Sequence, residues 1–130
     1  LSHLCTFAEE MKIPISVISE NVIHIHIPAG AVPKDGPSAG VALFIALSSL
    51  FSDQLVKEDV TMTGEITLKG DVLPVGGIKE KVLAAHRAGM KNIILPRWNK
   101  RDLEDVPDEI KEELDFKFID NVFDALKIAI

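Results

Sequence analysis

One α/β domain, with small mixed sheets, flanking helices and a buried central helix, is the fold this chain predicts. Three observations carry it. Apolar residues alternate at period two in several short stretches, recur at helical spacing in others, and the two kinds of stretch interleave along the whole chain. The length of 130 residues, 47% of them hydrophobic and 26% charged, suits one domain with a real core.

Leu1, Leu4, Phe7 and Met11 recur at helical spacing with no capping residue before them, so residues 1–11 read as a helix entered part-way, as in a trimmed core of a longer domain. Ile13, Ile15 and Val17, then Ile23, Ile25 and Ile27, alternate with their neighbours, and Glu20-Asn21 can turn between them, which predicts a β-hairpin. Residues 28–37, PAGAVPKDGP, hold three Pro and two Gly and read as a surface loop. Ser38 then precedes AGVALFIALSSLF, apolar nearly all round, a buried helix with Ser38 at or near its N-cap. In VTMTGEITLKGDVLPV, Val60, Met62, Ile66 and Leu68 alternate with polar residues and Gly70-Asp71 can turn, predicting a second hairpin. Gly76-Gly77 opens a helix that Gly89 ends, and NIILP is a short buried strand. Two short acidic helical segments, a strand over residues 116–119 and a helix over residues 122–130 complete the chain.

Fourteen Lys and Arg against twenty Asp and Glu leave a net charge of −6, so neither nucleic acid nor an anionic membrane is the expected partner. The longest apolar run, residues 41–47, is far short of the roughly 20 residues that span a bilayer. A lone Cys5 excludes an internal disulfide framework and fits a reducing compartment.

The helix after Gly77 separates two lysines. With Ile78 placed at 0° and about 100° per residue, Val82 falls near 40°, Ala85 near 340°, Ala88 near 280° and Lys81 near 300°. Lys79, Glu80, His86 and Arg87 take the wet side. Lys81 therefore lies on the apolar stripe, one turn into a helix whose N-terminal amides are partly positive, and both conditions favour a neutral amine. A neutral amine can serve as the base that a serine nucleophile requires. A lysine whose stem covers apolar surface while its head reaches water has the same periodicity. Ser38 has a plain reading as an N-cap, and a chemical one: Gly36 and Gly40 let a substrate backbone approach, and the helix start offers amides for an oxyanion. Gly36 to Gly40 also spell G-x-S-x-G, but Pro33 and Pro37 argue against the strand that motif needs, and His86 is the only histidine after Ser38.

PKDGPSAG at residues 33–40, MTGEITL at 62–68 and LPVGGIKEKVLAAHRAG at 73–89, with NKRDLEDVP further on, resemble the proteolytic domain of the Lon proteases that carry their own AAA+ ATPase. The resemblance implies a Lon-type fold, and a serine endopeptidase acting on unfolded or damaged polypeptides, in which Ser38 is the nucleophile and Lys81 the general base. It implies that Thr63 holds the lysine amine, and that Gly36, Pro37 and Ala39 flank the oxyanion and substrate backbone. It places Asp35 in a loop that rearranges, where a carboxylate pairing with Lys81 would hold it as ammonium; a solvated turn residue is the plain alternative. By period-two alternation Glu65 shares a face with Thr63, where it can bear on the lysine charge or on solvent alone. His26, with His24 on the same strand face, is expected in a packing or hydrogen-bonding role near the active-site loop, since no further ligands lie nearby for a metal. The acidic run over residues 102–115 reads as a solvated face, and Trp98 as an interface anchor or a rim core residue.

The resemblance further implies a ring of six subunits, no cofactor in this domain, and ATP and Mg used by an ATPase module on the same chain. No G-x-x-x-x-G-K-[ST] occurs here. Bacterial cytoplasm is the expected setting ahead of an organelle matrix. The alternatives are a Lon-like domain that assembles with an ATPase without a working dyad, and a hydrolase using His86 as base.

Overall fold

The computed structural model describes Cys5, Ala8, residues 13–26 and residues 36–130. Its centre is a three-stranded parallel sheet in the order β1 (Val60–Met62), β4 (Asn92–Pro96), β5 (Asp115–Ile119). Met62 stands opposite Ile94, and Ile94 opposite Lys117. Parallel neighbours need crossovers. Helix α3 (Ile78–Arg87) supplies one, and a 3₁₀ segment (Arg97–Asp105) with α4 (Asp108–Glu113) supplies the other.

Strand β4 is buried from Ile93 to Pro96, which is why NIILP carries no alternation. Ile94 packs into a cluster with Val41, Phe44 and Ile45 of α2 (Gly40–Ser52) and Val122 and Ala125 of α5 (Val122–Ala129). Ile93 and Leu95 point the other way, to Ile78, Val82 and Ala85 of α3, with Val106 and Leu114. Phe44 and Phe123 meet edge to face, 5.4 Å between centroids. Buried Ser48 closes its hydroxyl on Phe44 O at 2.8 Å, so this polar group in the middle of α2 is satisfied within the helix itself. Helix α5 is capped by Asn121, whose Oδ1 accepts from Phe123 N at 3.0 Å.

The expected second hairpin divides at Gly64. Thr63 N still donates to Ile94 O, but Gly64 N turns to Ser38 O and Gly64 O accepts from Val41 N. The chain thus leaves the large sheet and re-forms as β2 (Glu65–Ile66), antiparallel to β3 (Val72–Leu73). Only glycine fits at the break, because a Cβ would come within 2.7 Å of Val41 Cγ2 and 2.8 Å of Val72 Cγ1. The β2–β3 turn forms as expected, with Gly70 at φ 88°.

The expected first hairpin is not formed. Residues Ile15–Ser19 are a short helix, α1, and residues 22–26 have no regular structure. Pro14, with no N–H to give a ladder, stands at its N-cap, and a two-stranded ribbon alone is marginal in water. Ile13 and Ile18 are the buried pair, whereas Ile15 and Val17 of the alternating set are exposed. Ile27, Asp35 and most of the expected helix over residues 1–11 lie outside the described residues. The last strand and the closing helix match expectation to within a residue, two short helical segments precede them as expected, and Trp98 stands 71% exposed. Of the acidic run, Asp108 pairs with Lys111 and Asp115 with Lys117, while Glu104, Asp105, Glu109 and Glu112 lie in solvent.

Candidate active site

Helix α3 buries Ile78, Val82 and Ala85 and leaves Lys79 and Glu80 in solvent. Lys81 is half-buried at the edge of that stripe, as its helical angle predicts. Its amine donates to Thr63 Oγ1 at 3.1 Å. The Thr63 hydroxyl in turn donates to Ser38 O at 3.2 Å, and the same carbonyl accepts from Gly64 N at 3.0 Å. One hydroxyl has one proton, so Thr63 can only accept from the lysine. The amine is thereby held through one N–H while its remaining valences stay available. Thr63 is buried, and a β-branched side chain is stiff at χ1, so the acceptor is held in place.

Ser38, Thr63 and Lys81 line a common cleft of about 530 Å³ whose other walls are mainly Ala42, Met62, Ala84, Ala88 and Met90. Among the described residues, Lys81 is the only titratable side chain facing it. Burial against these apolar walls lowers the Lys81 pKa from the ordinary lysine value of 10.5. No carboxylate pairs with the amine among the described residues to oppose that shift.

The Ser38 hydroxyl is not a helix cap. Ala39 is the N-cap of α2, no side chain caps that end, and among the described residues the Ser38 hydroxyl has no hydrogen-bond partner. At the same helix start the Gly40 amide donates to Pro37 O and the Val41 amide to Gly64 O. The amides of Ser38 and Ala39 donate to no described residue, so they are the ones free to meet an oxyanion. Pro37 has no N–H, and its carbonyl serves Gly40. Gly36, exposed and at φ 76°, supplies the left-handed turn into this segment. Gly40 serves packing: its missing side chain admits Ile66 N, 3.2 Å from where a Cβ would stand.

Glu65, His24, His26 and His86 are not brought to the cleft. Glu65 lies beyond the Gly64 break in the other sheet, so the alternation that would align it with Thr63 is interrupted. His24 and His26 are exposed on an irregular segment, and the strand face that would have carried both is absent. Asp35 lies outside the described residues. His86 binds Glu113 at 2.7 Å on the far side of α3, leaving it no part in the cleft. Sequence reasoning set Ala88 beside Lys81 on the apolar stripe without reading it as a cleft wall, and passed over Ala84, three residues after Lys81 on α3.

A cleft joining a free serine hydroxyl to a lysine in apolar surroundings is serine-hydrolase chemistry, and the sequence match gives it a family. The profile of the Lon protease (S16) C-terminal proteolytic domain matches residues 1–130. The chain belongs to that Lon family. Among relatives, Lon protease of Syntrophus aciditrophicus is 56% identical over 130 residues, covering 100% of this chain and 16% of the relative. Lon protease of Desulforamulus reducens is 55% identical over 129 residues, 99% and 16% of the two chains. Lon protease 2 of Myxococcus xanthus is 53% identical over 130 residues, 100% and 16%. The chain thus spans about one sixth of the length of these Lon proteases, and corresponds to their serine peptidase domain. No helix among the described residues is long and apolar enough to cross a membrane.

Proposed function

We propose that this Lon domain hydrolyses peptide bonds of unfolded or damaged polypeptides through a dyad of Ser38 and Lys81. The observation that carries the reading is the Lys81 amine, held by Thr63 in an apolar cleft that Ser38 also lines. Neutral Lys81 takes the Ser38 proton as Oγ attacks the scissile carbonyl. The oxyanion is met by the amides of Ser38 and Ala39 at the start of α2. Collapse of this intermediate breaks the C–N bond, the Lys81 ammonium returns the proton to the departing amine, and an acyl-serine remains. Water then attacks the ester, giving its proton to Lys81, and as the ester C–O bond breaks the Lys81 ammonium returns that proton to Ser38 Oγ, releasing the acid. Thr63 orients the amine throughout. The chemistry asks for no metal or organic cofactor in this domain.

Substrate supply is assigned to an AAA+ ATPase module of the same longer chain, which would use ATP and Mg to unfold proteins and thread them to the cleft. A ring of six such chains in a bacterial cytoplasm is the setting this reading favours. Neither nucleic acid nor membrane has a role in it, consistent with the net charge of −6.

The test is hydrolysis of a short fluorogenic peptide by the full-length protease carrying this domain, beside its Ser38→Ala and Lys81→Ala variants. Each substitution is expected to lower kcat by roughly a thousandfold or more. Wild-type activity should rise with pH on a limb below the free-lysine value of about 10.4. Turnover surviving in Lys81→Ala would remove lysine as the base.

A further inference from the structure

Three polar side chains are buried among the described residues: Ser48, Thr63 and Asn99. Ser48 closes on its own helix and Thr63 belongs to the cleft, but Asn99 sits in the 3₁₀ segment, outside it. Its Nδ2 donates to Val75 O at 2.9 Å and to Asp102 Oδ2 at 2.6 Å, and its Oδ1 accepts from Val75 N at 3.0 Å. A flipped amide would set donor against donor and oxygen against carboxylate, so this arrangement is the only satisfied one. The side chain grips the backbone of Val75 from both sides, as a neighbouring strand residue would.

What it grips leads to the lysine. Val75 is followed by Gly76 and Gly77, a flexible pair, with Gly77 at φ 69° as the N-cap of α3. Gly77 O accepts from Lys81 N at 3.0 Å, so the turn bearing Lys81 hangs from this point. Asn99 itself lies just past β4, whose Ile94 pairs with Met62 and takes the Thr63 amide on its carbonyl. Asn99 therefore closes a ring of bonds running from α3 through β4 and β1 to Thr63 and back to Lys81. Ile78, Val82 and Ala85 hold α3 to the sheet, but apolar contact is non-directional and leaves the helix free to slide and rotate slightly. Directed bonds at Val75 remove that freedom, and an error of about 1 Å in a catalytic group can cost on the order of 100-fold.

We propose that Asn99, braced by Asp102, is a positioning residue that fixes the start of α3 and so sets the Lys81 amine against Thr63 and Ser38. The inference rests on Lys81 acting as the base.

The experiment uses the full-length protease with a short fluorogenic peptide, measuring kcat and KM across pH for Asn99→Asp, Asn99→Ser, Asp102→Ala and Lys81→Ala. Asn99→Asp keeps the bond from Val75 N but replaces the two-donor Nδ2 with a single oxygen that faces Val75 O and the Asp102 carboxylate. It and Asn99→Ser are expected to lower kcat roughly tenfold or more at unchanged KM. The ascending pH limb should move to higher pH as the amine shifts toward water; among the described residues no titratable group on α2, β1 or β4 faces the cleft to confound it. Asp102→Ala, which removes only the lateral brace, is expected to cost about threefold with a smaller shift of the same sign. Folded Asn99 variants with wild-type kcat and limb overturn the proposal, as does a fall in kcat with an unmoved limb. Should the Asn99 variants fail to fold, Asp102→Ala decides: a shifted limb supports the proposal and an unshifted one overturns it. Peptidase activity surviving in Lys81→Ala instead removes the base reading, which separates the two failures.

Discussion

The two faces of strand β4 are put to different uses. Ile94 looks into a face sealed by α2 and α5, where Val41, Ile45, Val122 and Ala125 are almost wholly buried. Ile93 and Leu95 look toward α3, which seals only part of its face and leaves the cleft over the rest. The strand is the same, and the difference lies in the covering helix. Helix α2 presents Val, Phe and Ile to the sheet, whereas α3 presents Ile78 and Val82 over part of it and, beside Lys81, only Ala84, Ala85 and the C-cap residue Ala88. Small side chains on one covering helix convert half a core into a site, and they do so next to a rigid floor.

The largest effect should appear on the sealed face. Ile94→Ala removes a fully buried side chain from a packed cluster and is expected to destabilise the folded domain by about 2–5 kcal/mol. Denaturant unfolding of the full-length protease, followed through a transition assigned to this domain, measures it. The fraction that stays folded should keep the wild-type kcat on a short peptide. A kcat loss beyond the unfolded fraction would show that the two faces are coupled and break the comparison.

A smaller effect, in activity alone, is expected on the open face. Thr63→Val keeps the shape and the β-branch while removing the hydroxyl that accepts from Lys81 and donates to Ser38 O. Ser38 O retains Gly64 N, so stability should change by only about 1 kcal/mol. With the amine unheld, kcat should fall about tenfold, equivalent to about 1.4 kcal/mol in the barrier. Thr63→Ser should recover most of it. Wild-type kcat in Thr63→Val would mean that the amine needs no anchor.

How much of this was legible in the sequence follows from range. Helix α3, its stop at Gly89, strand β4 and the closing helix are written in local periodicity and caps, and they stand where that periodicity puts them. The angle of Lys81 on α3 is equally local. The partition of residues 60–73 between two sheets was not legible, because Gly64 is required by contacts that form only in the folded chain, to Val41 on a preceding helix and to Val72 across the next turn. The alternation at residues 13–17 misled for a related reason: a strand needs a partner, and Pro14 with a single buried flank favours a short helix instead. Ser38 and Lys81 could be read as a pair through family strings, but the grip of Asn99 on Val75 is a contact that no spacing rule encodes.

The smallest predicted effect concerns the stability contributed by Lys81 itself and has the opposite sign to the others. Its pKa is lowered by burial, so the folded chain holds that proton less tightly than the unfolded chain does. Below the folded pKa both states are protonated and the ammonium's desolvation is a full cost to folding. As pH rises from the folded value toward the unfolded one, the unfolded chain binds the extra proton and stability climbs; above both values the cost is gone. Lys81→Met, with a stem of similar length and no charge, should therefore abolish peptidase activity yet melt slightly above wild type at neutral pH. That gap should close as pH approaches the free-lysine value of about 10.4. Melting curves of the two proteins at several pH values check it. A methionine variant melting below wild type at neutral pH would show that the charged head is well solvated and that the lysine stabilises this face, and α3 would then cover the sheet for the same purpose on both sides of its stripe.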